Sequence, residues 1–422
     1  MIKHARKISR RAAFVLASVA SLLACGPDAP VAASDSLPAP AAAPTTTTAP
    51  SPAPCGAAAG DCKDTPASPP APPSPLHVRS LGVGGFLVEH GTDAVLTAPL
   101  FTRPSMIAAT TGIPVSSDRA LVASRLPASS LVNVRTVLSG HAHYDHLLDV
   151  PAVMGLAPQA TLYSNVSGRN LLAAFAPDRA ARCAGEPAQS TAIARSRVVA
   201  VDDPGASTVD YTNCPDQRPP GAQLEGKWVR VPGAHVRVLA VCSDHPPQIG
   251  PVHYGEGDVE EEQCTPPKNM TDWKEGRTVA YLVDFLDAKT DAPVYRVFYQ
   301  DAPADAPVGH VPAAFLAEKR VDLALMCVGT YDHVDDASPA RALDALGPRY
   351  ALGGHWEDFF GPLDVPPQPI PFLDVQAWGT KARAALPDAG EAQSLFRNGA
   401  PVPYRAALPQ PGDTFDVPHQ TQ

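Results

Sequence analysis

Ser139-Gly-His141-Ala-His143-Tyr-Asp145-His146-Leu-Leu-Asp149-Val-Pro151 is the stretch whose reading decides this chain. Three histidines and a carboxylate fall within six positions, directly after the apolar run Val134 to Leu138. A strand that ends in such a cluster carries imidazoles and a carboxylate on one loop at the mouth of a sheet. Neutral imidazole and carboxylate are the donors that zinc and similar borderline ions prefer. His141 and His143 can point the same way from an extended segment, while Asp145 and His146 turn to a second position. One segment can therefore serve two adjacent ions.

A lone His-x-His is a weak signal, because histidine-rich loops also occur on surfaces. Here, three later segments repeat the pattern of an apolar, β-prone run followed by a ligand-bearing loop. Val236 to Val241 is followed by Cys-Ser-Asp-His245. Val294 to Tyr299 is followed by Gln-Asp301-Ala-Pro. Arg349 to Leu352 is followed by Gly-Gly-His355-Trp-Glu-Asp-Phe-Phe.

His-x-His-x-Asp-His followed by His, Asp and His in that order resembles the metallo-β-lactamase superfamily. The resemblance implies an α/β fold, an αββα sandwich, with a loop-rich insertion between about 181 and 277. It implies two divalent metal ions, zinc being the expectation. His141, His143 and His245 would hold one, and Asp145, His146 and His355 the other, with Asp301 and a hydroxide between them. Two cations sharing a water stabilise its conjugate base and bring its pKa towards neutrality. Asp145 has a second expected role as the catalytic group that orients the hydroxide or shuttles its proton. In the following Ala94-Val-Leu-Thr-Ala-Pro99 the aspartate that commonly precedes this proline in the superfamily is replaced by Thr97 or Ala98, so its hydrogen bond must be lost or supplied elsewhere.

Three further histidines compete. His235 precedes its strand and should project at the wrong end of the sheet. His253 lies in a Gly-rich loop positioned to cover the site. His333, between Asp301 and His355, is a substrate-side candidate.

The amino terminus carries Lys3, Arg6, Lys7, Arg10 and Arg11, then an apolar run from Ala12 to Leu23, then Leu22-Leu23-Ala24-Cys25-Gly26. This describes a secretory signal over 1–24. Leu-Leu-Ala-Cys resembles the bacterial lipobox, which makes Cys25 the lipidated first residue of an exported lipoprotein, periplasmic or outer-membrane anchored. The apolar run is shorter than the roughly 20 residues a spanning helix needs, so attachment rests on the lipid alone. Residues 25–76, rich in Pro, Ala, Thr and Ser, read as a disordered tether. The hydrolase domain is expected over 77–407 and a tail over 408–422. Helices are expected over Ala313 to Lys319 and Pro339 to Leu346.

Apart from Cys25 the chain has cysteines at 55, 62, 183, 214, 242, 264 and 327, none in zinc-finger spacing. Export favours disulfides. Nearest-neighbour pairing gives 55–62, 183–214 and 242–264, leaving Cys327 buried and free. The leader holds five of the 33 basic residues, so 28 face 43 acidic ones and the processed chain stands near −15. A surface of that sign repels nucleic acid and offers no basic stripe.

Asp-His-Leu-Leu-Asp-Val-Pro and Gly-Gly-His-Trp-Glu-Asp-Phe-Phe look most like the lactonase and N-acylphosphatidylethanolamine phospholipase D-like group. That resemblance implies hydrolysis of a lactone or phosphodiester, with a small-molecule or lipid-like substrate. The alternative is a non-catalytic metal-binding envelope lipoprotein of the same fold, for which loss of Asp145 or Asp301 would be the mark. Both are present.

Overall fold

The apolar runs that precede each ligand loop form strands, and their pairing explains why the loops meet. The computed structural model describes residues 74–126, 128–183, 193–203, 227–304, 308–386 and 394–419. The leader, Cys25, the tether, Cys55, Cys62 and Cys214 lie outside the described residues.

The first half of the described chain supplies strands β1 (Leu76–Gly82), β2 (Gly85–His90), β3 (Asp93–Thr97), β4 (Val134–Leu138), β5 (Thr161–Ser164), β6 (Val198–Ala200), β7 (Val229–Arg230) and β8 (Val236–Cys242). The second supplies β9 (Val279–Leu286), β10 (Pro293–Tyr299), β11 (Leu323–Cys327), β12 (Tyr350–Gly354), β13 (Leu395–Arg397), β14 (Ala400–Val402), β15 (Ala406–Ala407) and β16 (Thr414–Val417). They make two sheets, ordered β14-β13-β16-β1-β2-β3-β4-β5-β6 and β15-β12-β11-β10-β9-β8-β7.

Alternation in the sequence sorts the side chains between layers. Val78, Phe86, Val88 and Val95 of the first sheet join Val238, Ala240, Leu282 and Phe298 of the second in one apolar core. Leu87, Leu96 and Val137 belong instead to a second cluster with Val122, Val150, Val153 and Leu171 of the helices Arg119–Arg125, Val150–Leu156 and Val166–Leu172. Each large apolar side chain so buried contributes about 1.5–3 kcal/mol.

The second sheet is covered on its other face as well, which is why β9, β11 and β12 are buried at every position. Helix Val375–Ala385 starts at Asp374, whose carboxylate accepts from Ala377 N at 2.8 Å. Its Trp378 lies so close over Gly353 that a Cβ there would stand 2.8 Å from the indole. Arg296, fully buried, donates to Asp284 at 2.7 and 2.8 Å and to the Lys319 carbonyl at 2.9 Å, tying helix Ala313–Glu318 down. The layering is the αββα sandwich that the resemblance implies.

Strand direction sets the position of the site. β8 and β10 both run antiparallel to β9, and β10, β11 and β12 are mutually parallel. The segments that leave β8, β10 and β12 therefore emerge on one edge of the second sheet, as ligand-bearing loops of open α/β sheets do.

Two expectations need correction. The domain does not stop at 407. Thr414–Val417 lies between β13 and β1, with Leu76 paired to Val417 and Val78 to Phe415, and its Phe415 and Val417 are buried. A four-residue strand of Thr-Phe-Asp-Val is too short to stand out, yet it alternates as an antiparallel strand should. Two of the nearest-neighbour disulfides, 183–214 and 242–264, also fail: Cys183 is joined to Cys264, 81 residues away, while 55–62 lies outside the described residues. Cys242 is disulfide-bonded too, hence not to Cys264, while Cys327 is free and buried as expected. Sequence proximity was the wrong guide, because helix Arg179–Arg182 is docked against the segment around 264, with the Arg179 guanidinium donating to the Cys264 carbonyl.

Candidate metal centre

β4 ends at Leu138, and the next residues set the first cluster. Ser139 Oγ donates to the His141 carbonyl at 2.7 Å, and Gly140 N donates to Asp301 Oδ2 at 2.6 Å. A Cβ at position 140 would stand 2.1 Å from Asp301 Oδ1, so only glycine allows this approach. His143 caps the short helix Tyr144–Leu147, which turns Asp145 and His146 to a second position. His245 follows β8, Asp301 follows β10 and His355 follows β12.

His355 sits at φ +59°, a conformation unfavourable for a residue with a Cβ by about 1 kcal/mol or more. It is held there by its N–H, which donates to the Val83 carbonyl at 2.8 Å. Glu357, fully buried and paired with Arg103 at 3.3 Å, accepts from Val83 N at 2.5 Å and binds the same two loops together.

The structure brings all seven sequence-derived ligands together. His141, His143 and His245 place ligand atoms within 4.8 Å of one another, and so do Asp145, His146 and His355. Asp301 forms a third such group with His141 and His146, one member from each triad. Its Oδ1 lies 3.0 Å from His141 Nδ1 and its Oδ2 3.5 Å from His146 Nδ1.

These residues pass a chemical test for metal binding. His141 Nε2, His143 Nε2, both nitrogens of His146 and His355 Nδ1 are buried without a hydrogen-bond partner among the described residues. Each such orphan costs about 1–3 kcal/mol, and several converging on one place call for a shared cation. His245 Nδ1 lies 2.7 Å from the Pro246 carbonyl, which only accepts, so the proton is on Nδ1 and Nε2 offers its lone pair.

Protonation states agree. Burial, together with neighbouring imidazoles, pushes His141, His143 and His146 down to about 3 and His245 well below its ordinary value. All four are neutral ligands at physiological pH. Burial works against ionising Asp145, but His146, His355 and His143 outweigh it and hold the carboxyl well below its usual range. His355 is raised despite burial, through its 2.9 Å contact from Nε2 to Asp145 Oδ2. Asp301 is raised, chiefly by burial.

Thr97 takes over local support where the superfamily pattern has aspartate. Its hydroxyl donates to the Gly84 carbonyl at 2.6 Å and accepts from Phe86 N at 2.7 Å, pinning the loop between β1 and β2. At Gly84 in that loop a Cβ would press on His146 at 3.0 Å.

Other candidates fall elsewhere. His235 lies at the opposite end of β8, beside Asp93 at 3.3 Å, as its position before the strand implies. His333 joins neither triad; it is exposed, and its Nδ1 lies 2.5 Å from the Pro247 carbonyl, so it ties its loop to the one carrying His245. His253 does lie beside the site, with its ring centroid 5.3 Å from that of His245.

Sequence reasoning missed two carboxylates. Asp149 is buried and accepts from Phe101 N, Thr102 N and Thr102 Oγ1, each at 2.7 Å, fixing the loop after β3 to the ligand helix. Its place in the Asp-His-Leu-Leu-Asp string was the available signal. Glu275 is buried with Oε2 3.9 Å from His143 Nε2 and 2.6 Å from His253 Nε2. Burial and the nearby Asp244, Glu256 and Asp258 push it up to about 8. Nothing in Trp-Lys-Glu-Gly-Arg marked it.

No family model matches this chain, and no curated protein matches it. Solved structures do. Igni18, a metallo hydrolase from the hyperthermophilic archaeon Ignicoccus hospitalis KIN4/I, is 12% identical with a TM-score of 0.41, covering 82% of this chain and 99% of its own. The metallo-β-lactamase fold protein YhfI from Bacillus subtilis is 10% identical with a TM-score of 0.38, over 81% and 99%. An isothiocyanate hydrolase from Delia radicum gut bacteria is 10% identical with a TM-score of 0.38, over 81% and 100%. At such values the fold and the site stand on the strand order, the layering and the side-chain geometry of this chain.

Proposed function

We propose that the chain is a metal-dependent hydrolase of the metallo-β-lactamase superfamily, with two zinc ions and a lactone or phosphodiester-type substrate, anchored at the cell envelope through Cys25. The observation that carries this reading is the convergence of two triads, with Asp301 reaching one member of each and the imidazole nitrogens left unpartnered. Bound there, the ions would supply an activated water and charge to neutralise a developing oxyanion.

The chain's own residues do the rest. Asp145 keeps its carboxylate ionised in a buried setting and orients His355 through their 2.9 Å contact. Gly140 N fixes one oxygen of Asp301 and the Tyr299 hydroxyl lies 3.4 Å from it. Phe359 stands edge-on to His355 at 5.1 Å and stacks near Phe360 at 4.7 Å, giving the carboxylate-bearing side an apolar wall. Asp244, Glu256 and Asp258 surround the other side. An uncharged lactone with an apolar body suits such a rim better than an anionic phosphodiester.

The test is metal analysis of purified, undialysed protein, then a screen of lactone, phosphodiester and β-lactam substrates. Two zinc ions per chain and lactone hydrolysis are expected. Absence of transition metal sinks the reading, and two ions without turnover on any class leave the non-catalytic binding protein. For anchoring, labelled fatty acid should enter the wild-type chain and not Cys25→Ala.

A further inference from the structure

Beside the three-imidazole triad stands a cluster that the mechanism leaves unused. His245, His253 and Glu275 place ligand atoms within 4.8 Å of one another. Glu275 Oε1 accepts from Thr278 Oγ1 at 2.9 Å, which fixes the carboxylate and turns Oε2 towards the histidines. Oε2 lies 2.6 Å from His253 Nε2, yet neither atom makes an aligned hydrogen bond, and both are buried. Two donors so close and so misaligned address a common third point rather than each other.

The backbone is built to hold them there. Glu275 N donates to the Gly255 carbonyl at 2.8 Å and Gly276 N to the Gly257 carbonyl at 3.0 Å, strapping the His253 loop to the Glu275 turn. Gly255, at φ +69°, lies against His143, where a Cβ would stand 2.9 Å from the ring.

Resting on the metal reading above, we propose that His245, His253 and Glu275 form an outer position for a divalent cation, occupied in alternation with the inner position of His141, His143 and His245, and that the ion enters through it. Alternation follows from His245. Its Nδ1 is committed to the Pro246 carbonyl, so one lone pair on Nε2 serves both groups and can bind a single ion at a time. Direction follows from exposure. The His253 side chain is 18% exposed, against 9% for His143 and 0% for His141. The outer position also brings an oxygen donor, Glu275 Oε2, beside its two imidazoles, where the inner position has imidazoles alone.

The experiment uses the full chain stripped of metal, mixed rapidly with Co2+ and followed by visible absorbance, with cobalt counted at saturation. Wild type should take two ions per chain. In His253→Ala/Glu275→Gln, the ion of the three-imidazole side should load about tenfold more slowly, with the final spectrum and the two-ion stoichiometry unchanged. An unaltered loading rate overturns the proposal. So does a lost ion at saturation, which would make the pair permanent ligands, or a third ion in wild type, which would end the alternation. His253→Ala alone, at a partly exposed loop position, gives the same readout should the double variant not fold. Failure of wild type to bind Co2+ would strike the metal reading itself, whereas two ions with an unaltered rate strikes only this inference.

Discussion

The two halves of the metal centre solve the same burial problem in different ways. His141, His143 and His245 are neutral, and among the described residues His141 Nε2 and His143 Nε2 have no hydrogen-bond partner. Asp145, His146 and His355 contain a charge pair of their own, Asp145 against His355 at 2.9 Å, with each partner shifted to favour the charged form. The first half would be completed by a cation and is otherwise uncompensated. The second is partly satisfied before any ion arrives. Beyond Asp301, which reaches both, only the second would bring a carboxylate of its own to an ion, so it should carry more of the chemistry, while the first should depend more on being filled.

The largest effect should follow from Asp145→Ala. It removes an anionic ligand, the partner of His355 and the group placed to manage a proton. Turnover should fall about a thousandfold or more, with cobalt or zinc content near one per chain. His245→Ala, which removes a neutral donor, should fall less. Equal losses in the two variants would break the distinction between the halves.

Gly140→Ala acts on both halves at once, through Asp301. The added methyl would meet Asp301 Oδ1 at 2.1 Å and the Val279 carbonyl at 2.5 Å, neither of which is a flexible chain end. The cost should be about 2–3 kcal/mol or more, read as a lower unfolding midpoint in urea. Affinity for both ions should fall together. Weakened binding of one ion alone would show that Asp301 serves only one half.

Acid should act more strongly on the three-imidazole half in the metal-free protein, where three imidazoles are depressed against His146 alone in the other. An imidazole held at about 3 in the fold and about 6.5 when unfolded contributes stability above pH 6.5 that is lost as pH falls towards 3. Each such group adds a slope of up to about 1.4 kcal/mol per pH unit. His355, raised instead, contributes stability present below 6.5 and lost as pH rises through its folded value. The metal-free chain should therefore weaken steeply from pH 6.5 to 5, and His143→Gln should reduce that slope by about one proton. An unchanged slope would mean His143 is not neutral and buried.

Much of this centre was legible because its ligands follow strands whose apolar runs are plain. Val134 to Leu138 and Val236 to Val241 declare themselves, and the residue after each strand end is fixed to one edge by sheet direction. What escaped was support contributed across the fold. Glu275 lies over His143 because the Gly255 and Gly257 carbonyls hold its turn there, and those contacts join segments with no periodic signature. The Cys183–Cys264 bond closes over 81 residues, and proximity in sequence says nothing about such a closure. Thr414–Val417 is four residues long, below what alternation can announce.

The smallest effect isolates the sign of the acid slope. Asp202, just beyond β6 and far from either triad in role, is buried and accepts from Val166 N at 2.7 Å. Burial pushes it up to about 6. A carboxyl raised in the fold binds its proton there before the unfolded chain does, so its stability contribution is complete below about 3.8 and is lost as pH rises through about 6. This runs opposite to the imidazoles across the same window and masks part of their slope. Asp202→Asn keeps the oxygen that accepts from Val166 and removes the titration. Stability at pH 7 should rise by about 1–2 kcal/mol, while the loss between pH 6 and 4 in metal-free protein becomes steeper. If the variant instead shallows that loss, the neutral imidazoles are not what makes the empty centre acid-sensitive, and the contrast between its halves is drawn on the wrong groups.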